Sequence, residues 1–353
     1  MRLLILTFFI LTFYSCKNTS EKKSKNTIKE EFSAIGKLPD VINIDRLKNT
    51  DFVPTMETHL GSGKNVIYCP TLLYAWDEIR KITGVLKVRK NKDSIDIIQL
   101  NESKSYLNAL ANNEYRTRIE VVGDVIRANA EFNTELTFKP YLEKLKYPLM
   151  FKQNHVNGFG MIKYNIYIAN QIEILYFKDN ENFIFKLNPE QKDNEIIFVK
   201  GAEFNNAKTF AELAEKTKEN ILIGNNEKKN KINTWKYILK EHETFAIPEL
   251  AFNIEKYFNE LINQTVYNDK NSYTIKIAKQ RNALLLNNKG AKIESEAEIE
   301  VEAAAEPSMD DNIIEKHMFL NNTFFILFKH NSKPNPYFCV KIDTDELMSK
   351  YKE

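Results

Sequence analysis

The sequence is poor in the residue types that build several common classes of site. Its three cysteines, Cys16, Cys69 and Cys339, are too few and too scattered for a disulfide scaffold or a zinc knuckle. Ten glycines and ten prolines in 353 residues argue against a glycine-rich cofactor loop and a proline-rich linker. Lysine and arginine nearly balance the acidic residues, and the formal net charge is +2, so no large field of one sign is available for nucleic acid. We expect no metal, no cofactor and no nucleic-acid partner.

Catalytic and nucleotide-binding motifs are incomplete in this chain. The GSGK segment at 61–64 has Thr58 where a phosphate loop would begin with glycine, and we predict a turn before a strand. His242 and Glu243 lack the second histidine that a zinc protease needs four residues after the first. The GFG segment at 158–160 lacks the third glycine of a dinucleotide fingerprint, which predicts a flexible connection. The sequence therefore gives no support for an enzyme.

The N-terminus has the pattern of an export signal. Arg2 precedes an apolar run from residue 3 to 13, and Ser15 stands directly before Cys16. This pattern is typical of bacterial lipoproteins, in which the cysteine becomes the lipidated first residue. The alternatives are an ordinary secretory signal or a short membrane helix, but the run is too short to span about 30 Å of hydrocarbon. We expect a signal peptide at 1–15 and a lipid-anchored protein of the cell envelope that faces the periplasm or the exterior.

Residues 17–31 contain almost no apolar side chains and predict a solvated tether. The expected organisation is therefore a lipidated cysteine and tether at 16–38 and one monomeric domain at 39–353. Hydrophobic spacing predicts strands that are not regularly separated by helices, which indicates an α+β fold. The predicted helices are 71–82, 210–219 and 254–262, and the predicted strands are 66–68, 119–128, 172–177, 183–187, 196–199, 273–286 and two runs near the C-terminus.

The segment after Gly290 alternates small or apolar residues with charged residues. A half-buried strand requires this period of two. A helix is the main alternative, although it would place Glu294 beside Glu298 and so repel like charges. A solvated acidic loop is the other alternative, but it would not need strict alternation. One face of the strand would carry Ala291, Ile293, Ser295, Ala297, Ile299, Val301 and Ala303.

Five segments resemble the serpin family and occur in the family's order. The C-terminal segment 319–342, FLNNTFFILFKHNSKPNPYFCVKI, resembles the paired terminal strands, and 282–298, NALLLNNKGAKIESEAE, resembles the central strand, turn and loop hinge. Three further segments are similar to an early strand and helix, a strand pair, and a later strand and helix. These are NVIYCPTLLYAW at 65–76, IEILYFKDNENFIFKLNP at 172–189 and FAIPELAFNIEKYFNELI at 245–262.

The resemblance implies a serpin-like α+β fold, with large mixed and antiparallel sheets, flanking helices and an exposed reactive-centre-like loop at 290–312. It also implies an inhibitor of serine or cysteine proteases, which cut the loop and are trapped when it inserts into the sheet. The implied hinge is Gly290, Ala291, Ile293, Ser295 and Ala297, and the implied scissile region is Ala303, Ala304 and Ala305. The catalytic groups then belong to the partner protease, and this chain is not an enzyme.

Two departures from the family pattern keep a second function open. The chain between Pro70 and Leu145 is short, so several helices that flank the sheet are expected to be reduced or missing. Ile293 is β-branched where inhibitory serpins prefer small residues, and such a side chain is harder to insert into a sheet. The alternative is a non-inhibitory serpin-fold lipoprotein that acts as a binding or structural module.

The same resemblance places Cys69 and Cys339 on neighbouring strands of one buried sheet. An exported location would permit a disulfide between them. Two buried free thiols that pack as small apolar side chains are the alternative.

Overall fold

Helices form a minor part of the structure. The computed structural model describes residues 33–89, 94–122, 125–297 and 315–352. Within these ranges the helices are α1 (Thr71–Thr83), α2 (Ile95–Glu102), α3 (Ile166–Ala169), α4 (Ala202–Asn205) and α5 (Phe210–Lys229). Single 3₁₀ turns lie at Ile44–Arg46, Thr234–Tyr237 and Asp345–Leu347.

Strands make up most of the regular structure of the described residues. In chain order they are β1 (Ile42–Asn43), β2 (Thr50–Phe52), β3 (Thr55–Met56), β4 (Asn65–Tyr68), β5 (Lys87–Val88), β6 (Tyr115–Val122), β7 (Val125–Thr137), β8 (Glu143–Lys144), β9 (Leu149–Phe151), β10 (Asn154–Val156), β11 (Gly158–Met161), β12 (Ile172–Asp179), β13 (Asn182–Leu187), β14 (Asn194–Lys200), β15 (Thr244–Pro248), β16 (Leu250–Tyr257), β17 (Thr265–Tyr267), β18 (Ser272–Thr274), β19 (Lys279–Asn287), β20 (Gly290–Ala297), β21 (His317–Phe319), β22 (Phe324–His330) and β23 (Phe338–Ile342).

Two large sheets dominate the described part of the chain. One has six strands in the order β1-β16-β19-β20-β7-β6, and the other has seven in the order β12-β13-β14-β22-β23-β4-β2. Both are mixed, because β1 pairs parallel with β16 and β2 pairs parallel with β4, whereas the other pairs in these two sheets are antiparallel. Every residue of β14 and of β23 is buried, as expected for strands covered on both faces.

The structure confirms the predicted α+β class. Helix α1 begins after Pro70, whose missing N–H costs nothing at a helix start, and it ends before Gly84 at a φ of 73°. Thr209 caps α5 by accepting from the backbone N–H of Glu212. This helix continues ten residues beyond the predicted end at 219, to Lys229.

Three sequence-based predictions of local structure are wrong. The predicted helix at 254–262 is the end of strand β16 followed by turns, because β16 is paired on both sides by β1 and β19. The predicted strands at 119–128 and 273–286 each span a break and are two strands, β6 with β7 and β18 with β19. Pairing with neighbours in the sheet outweighs local spacing at these places.

One further expectation needs correction. The 158–160 segment is the buried strand β11 rather than a flexible connection. A Cβ on Gly160 would lie 2.1 Å from the carbonyl oxygen of Phe245, so glycine permits close strand pairing there. Residues Ser33–Glu353 form one compact unit, in which Ile35 is buried and its carbonyl accepts from the Asn287 side chain. The turn predicted at 61–64 is confirmed.

Candidate functional site

The hinge segment is a central strand of the six-stranded sheet. Strand β20 lies between β19 and β7 and pairs antiparallel with both. The pairing runs from Gly290 opposite Thr137 to Ala297 opposite Ala130 on the β7 side. A strand paired on both edges satisfies its backbone N–H and C=O groups, so this segment is held by the sheet along its whole length.

The inner face of β20 is buried, as the alternation predicts. Ala291 and Ile293 have no exposed surface, and Ser295 is 3% exposed. Ile293 lies directly between Leu284 of β19 and Thr134 of β7. A β-branched side chain is therefore accommodated at this position.

The outer face of β20 carries charges that pair across the sheet. Lys292 lies 2.9 Å from Glu135, and Glu294 lies 2.9 Å from Arg281, measured between the charged atoms. Glu296 is exposed. Because these pairs lie on the neighbouring strands β7 and β19, they favour the observed register, although each contributes little at a solvated surface.

A chain of hydrogen bonds lies under the sheet at Ser295. Its hydroxyl donates to Oδ1 of Asn282 at 2.5 Å and lies 3.0 Å from Oγ1 of Thr71, which must then donate to Ser295. The Gln280 amide donates to the Thr71 hydroxyl and to the carbonyl of Cys69. The cluster links β20 to β19 and to the start of helix α1, and sequence reasoning missed it because its members lie far apart in the chain.

Gly290 begins β20 in a conformation that requires glycine. Its φ is 150°, and a Cβ would lie 2.1 Å from the carbonyl oxygen of Leu136. The turn before it lets β19 reverse directly into β20. Any larger residue would push the hinge away from β7.

The expected exposed loop is partly wrong. Residues 290–297 are already a paired strand in the uncut chain, because the alternating apolar face gains burial whether or not the loop is cut. The candidate scissile residues Ala303, Ala304 and Ala305 lie outside the described residues, as does Cys16.

The chain re-enters the described structure at a buried ion pair. Lys316 has no exposed surface, and its Nζ lies 2.6 Å from Oε1 of Glu243 and donates to the carbonyl of Trp235 at 2.9 Å. The same ammonium lies over the rings of Trp235 and Phe177, 5.3 and 5.6 Å from their centroids. Burial lowers the pKa of Lys316, and Glu243 partly offsets this. Lys316 is thus fixed immediately before β21, which no sequence pattern indicated.

The two described cysteines are buried free thiols; Cys339 lies in β23 and Cys69 directly follows the neighbouring strand β4. The register pairs Cys339 with Tyr68, so Cys69 is one residue out of alignment, and the disulfide suggested by the resemblance is not formed. Burial raises the pKa of the Cys69 thiol to about 11. Both cysteines pack as small apolar side chains, the alternative that the sequence left open.

Comparisons with known proteins return serpins among the solved structures. No family model matches the chain, and no curated protein matches it. A latent thermophilic serpin, tengpin, matches at a TM-score of 0.41 and 10% identity over 83% of this chain and 94% of that chain. A loop-inserted structure of a cleaved ovalbumin mutant matches at a TM-score of 0.39 and 9% identity, over 77% of this chain and 65% of that chain. A cleaved serpin 42Da matches at a TM-score of 0.36 and 9% identity, over 64% of this chain and 57% of that chain.

The chain is therefore similar to serpin structures only at low identity and low TM-score. Human thyroxine-binding globulin in complex with its hormone also matches, at a TM-score of 0.33 and 13% identity, over 65% of this chain and 59% of that chain. The matches cover less than two thirds of the serpin 42Da and ovalbumin chains. At these identities and scores no activity, target or ligand is carried over. The features of this chain that carry the resemblance are the five ordered sequence segments and the central position of β20.

Proposed function

We propose that this protein is a serpin-like inhibitor of serine or cysteine proteases, which is cut in its loop and traps the protease by strand insertion. The observation that carries the proposal is the position of β20. The segment after the turn at 288–289 enters the centre of the six-stranded sheet and buries its apolar face there. A loop that becomes a strand must enter the sheet at its first residues and must place apolar side chains on one face.

Strand β7 extends beyond its described pairing with β20. The described pairing of β7 with β20 ends at Ala130, whereas β7 itself begins at Val125. Residues 125–129 pair with β6 on their other side. Residues 298–302 could therefore add to β20 along this edge, and the sequence alternation continues there with Ile299 and Val301. Each added residue would gain about 0.5–1.5 kcal/mol per net hydrogen bond.

In the proposed mechanism, cleavage leaves two chain ends, and each is attached to a different part of the fold. The nucleophile of the protease attacks a carbonyl in the Ala303–Ala305 region, an acyl bond to the protease forms, and the peptide C–N bond breaks. The proton of the nucleophile passes through the protease's general base to the leaving amine. The new amine stays with the segment held by the Lys316–Glu243 pair. The acylated end belongs to β20, which is free to lengthen and to carry the protease with it.

A specific observation favours the second function, a non-inhibitory binding or structural module. Eight residues, 290–297, are already inserted in the uncut chain, so less loop remains for presentation to a protease than in a fully exposed loop. In that case a protease would cut the loop and leave without being trapped.

To distinguish the two functions, the full-length protein is incubated in detergent with elastase-like, trypsin-like and papain-like proteases. Small residues at 303–305 suit the elastase-like pocket, and we expect a complex that survives denaturant and has the summed mass of both proteins. A protease with a blocked nucleophile is the control and should give no complex. Cut protein without any complex would support the binding module and reject the inhibitor.

The proposed location is the bacterial cell envelope, with a lipid on Cys16. The N-terminal pattern of Arg2, an apolar run and Ser15 before the cysteine supports it. None of the helices in the described ranges is long and apolar enough to span a membrane. Cys16→Ala should move the protein from the membrane fraction to the soluble fraction or stall its processing. Unmodified wild-type protein in the soluble fraction would reject the anchor.

A further inference from the structure

Three side chains with metal-binding atoms meet between the two large sheets. Glu114 directly precedes β6 of the six-stranded sheet. Asp193 directly precedes β14 and His330 ends β22, both in the seven-stranded sheet. One ligand atom from each residue lies within 4.8 Å of the other two. The cluster therefore joins the edge of one sheet to the strand ends of the other.

The imidazole of His330 is buried and has an unsatisfied nitrogen. The residue is 5% exposed, and its Nδ1 lies 3.3 Å from the backbone carbonyl of Asp193. When Nδ1 donates to that carbonyl, Nε2 carries a lone pair. Nε2 makes no hydrogen bond, yet it lies 3.0 Å from Oε1 of Glu114. A nitrogen lone pair this close to a carboxylate oxygen is repulsive, and a cation bound to both atoms would remove the repulsion.

The carboxylates are arranged to complete such a site. Oε2 of Glu114 accepts from the backbone N–H of Ala111 at 2.5 Å, which holds Oε1 toward His330. The Asp193 side chain is 75% exposed and can adjust its position. Ligands at about 2.0–2.2 Å from a tetrahedral zinc ion are about 3.3 Å apart, so the distance between His330 and Glu114 needs little change.

A cleft lies beside Glu114. It has a volume of about 280 Å³ and is lined by Glu114 together with Asn113, Arg116, Glu131 and Phe132. One imidazole and two carboxylates suit a divalent first-row transition metal better than calcium or magnesium, which prefer oxygen ligands alone.

We infer that Glu114, Asp193 and His330 bind a divalent transition-metal ion, with zinc as the probe. The ion replaces the repulsion between Nε2 and Oε1 with two coordinate bonds and ties the two sheets together. Because the site exists only in the folded chain, binding stabilises the fold. The inference does not depend on protease inhibition.

The test measures zinc binding and thermal unfolding of the full-length protein in detergent. We expect one zinc per chain by calorimetric titration, and a rise in Tm of about 4–8 °C when free zinc is a hundredfold above Kd. A chelator should reverse the rise. Asp193→Asn changes an exposed side chain, so the protein should fold, but it should bind zinc at least tenfold more weakly. Asp40→Asn, another exposed aspartate, should bind zinc like the wild type.

Two results would overturn the site. One is a wild-type Tm that zinc does not change, which would mean that the three side chains hold no metal. The other is equal zinc binding by wild type and Asp193→Asn, which would place the metal elsewhere. His330→Asn provides a second check, since loss of the Tm rise in a folded variant supports coordination by the imidazole.

Discussion

At the scale of single residues, Asp343 joins distant parts of the chain. It accepts from Nζ of Lys152 at 2.7 Å, from the Thr323 hydroxyl at 2.8 Å and from the backbone N–H of Gly63 at 3.0 Å. Burial raises the pKa of Asp343, but the hydrogen bonds from Lys152 and Thr323 and the charge of Lys341 outweigh burial and lower it to about 2. The ionised carboxylate is therefore the form that stabilises the fold.

Asp343→Asn should reduce the free energy of unfolding by about 2 kcal/mol at pH 7. The folded pKa lies below the unfolded value, so this stabilisation is complete above about pH 4 and is lost as the pH falls toward 2. Denaturant unfolding at several pH values measures the difference, with Asp40→Asn as the control. A difference between wild type and Asp343→Asn that stays constant down to pH 2 would contradict the explanation.

At the scale of the element, β20 offers adjacent residues on opposite faces for a matched comparison. Ser295 is buried over the polar cluster, whereas Glu296 is exposed. Ser295→Lys places a charge at a buried position with no described carboxylate partner. It should reduce the free energy of unfolding by about 2–4 kcal/mol. Glu296→Lys introduces the same side chain in solvent and should cost less than about 0.5 kcal/mol.

Hydrogen exchange across 290–297, together with Tm, measures the effect. Ser295→Lys should lose protection over this segment because the strand leaves the sheet, while Glu296→Lys should keep it. Because β20 is paired on both edges in the uncut chain, a charge on its buried face destabilises the uncut fold. Unchanged protection in Ser295→Lys would reject the inserted hinge.

At the scale of the whole molecule, cleavage should stabilise the fold less than insertion of the full loop would. Residues 290–297 are already paired, so a cut between 298 and 314 can add pairing only for residues after Ala297. Pairing of residues 298–302 and burial of Ile299 and Val301 would stabilise the cut protein, whereas the entropy lost on ordering these residues opposes the gain. We expect a net rise in Tm of about 3–6 °C. Calorimetry of cut and uncut protein measures it, with a cut before Ser33 as the control. A Tm at or below that of the uncut protein would favour the binding module.

The spacing of residues within the hinge segment predicted which face of β20 is buried, but it did not predict the contacts of the neighbouring elements. The period of two through Ala291, Ile293 and Ser295 predicted which face is buried, because side chains alternate along any strand. The helix expected at 254–262 failed because pairing with two neighbouring strands decided the backbone of β16. The buried Lys316 gave no signal, since its partners Glu243 and Trp235 come from another region of the chain.

The sequence by itself determined the α+β class, helix α1 and the two faces of β20, because these depend on composition and on spacing within short segments. The tertiary structure alone decided that β20 lies paired in the sheet before any cut, that Cys69 and Cys339 are out of register, and that Glu114, Asp193 and His330 converge. Each of these depends on the register and packing of strands far apart in the chain. Such contacts are selected by the burial and hydrogen bonding of the whole fold, which no short segment contains.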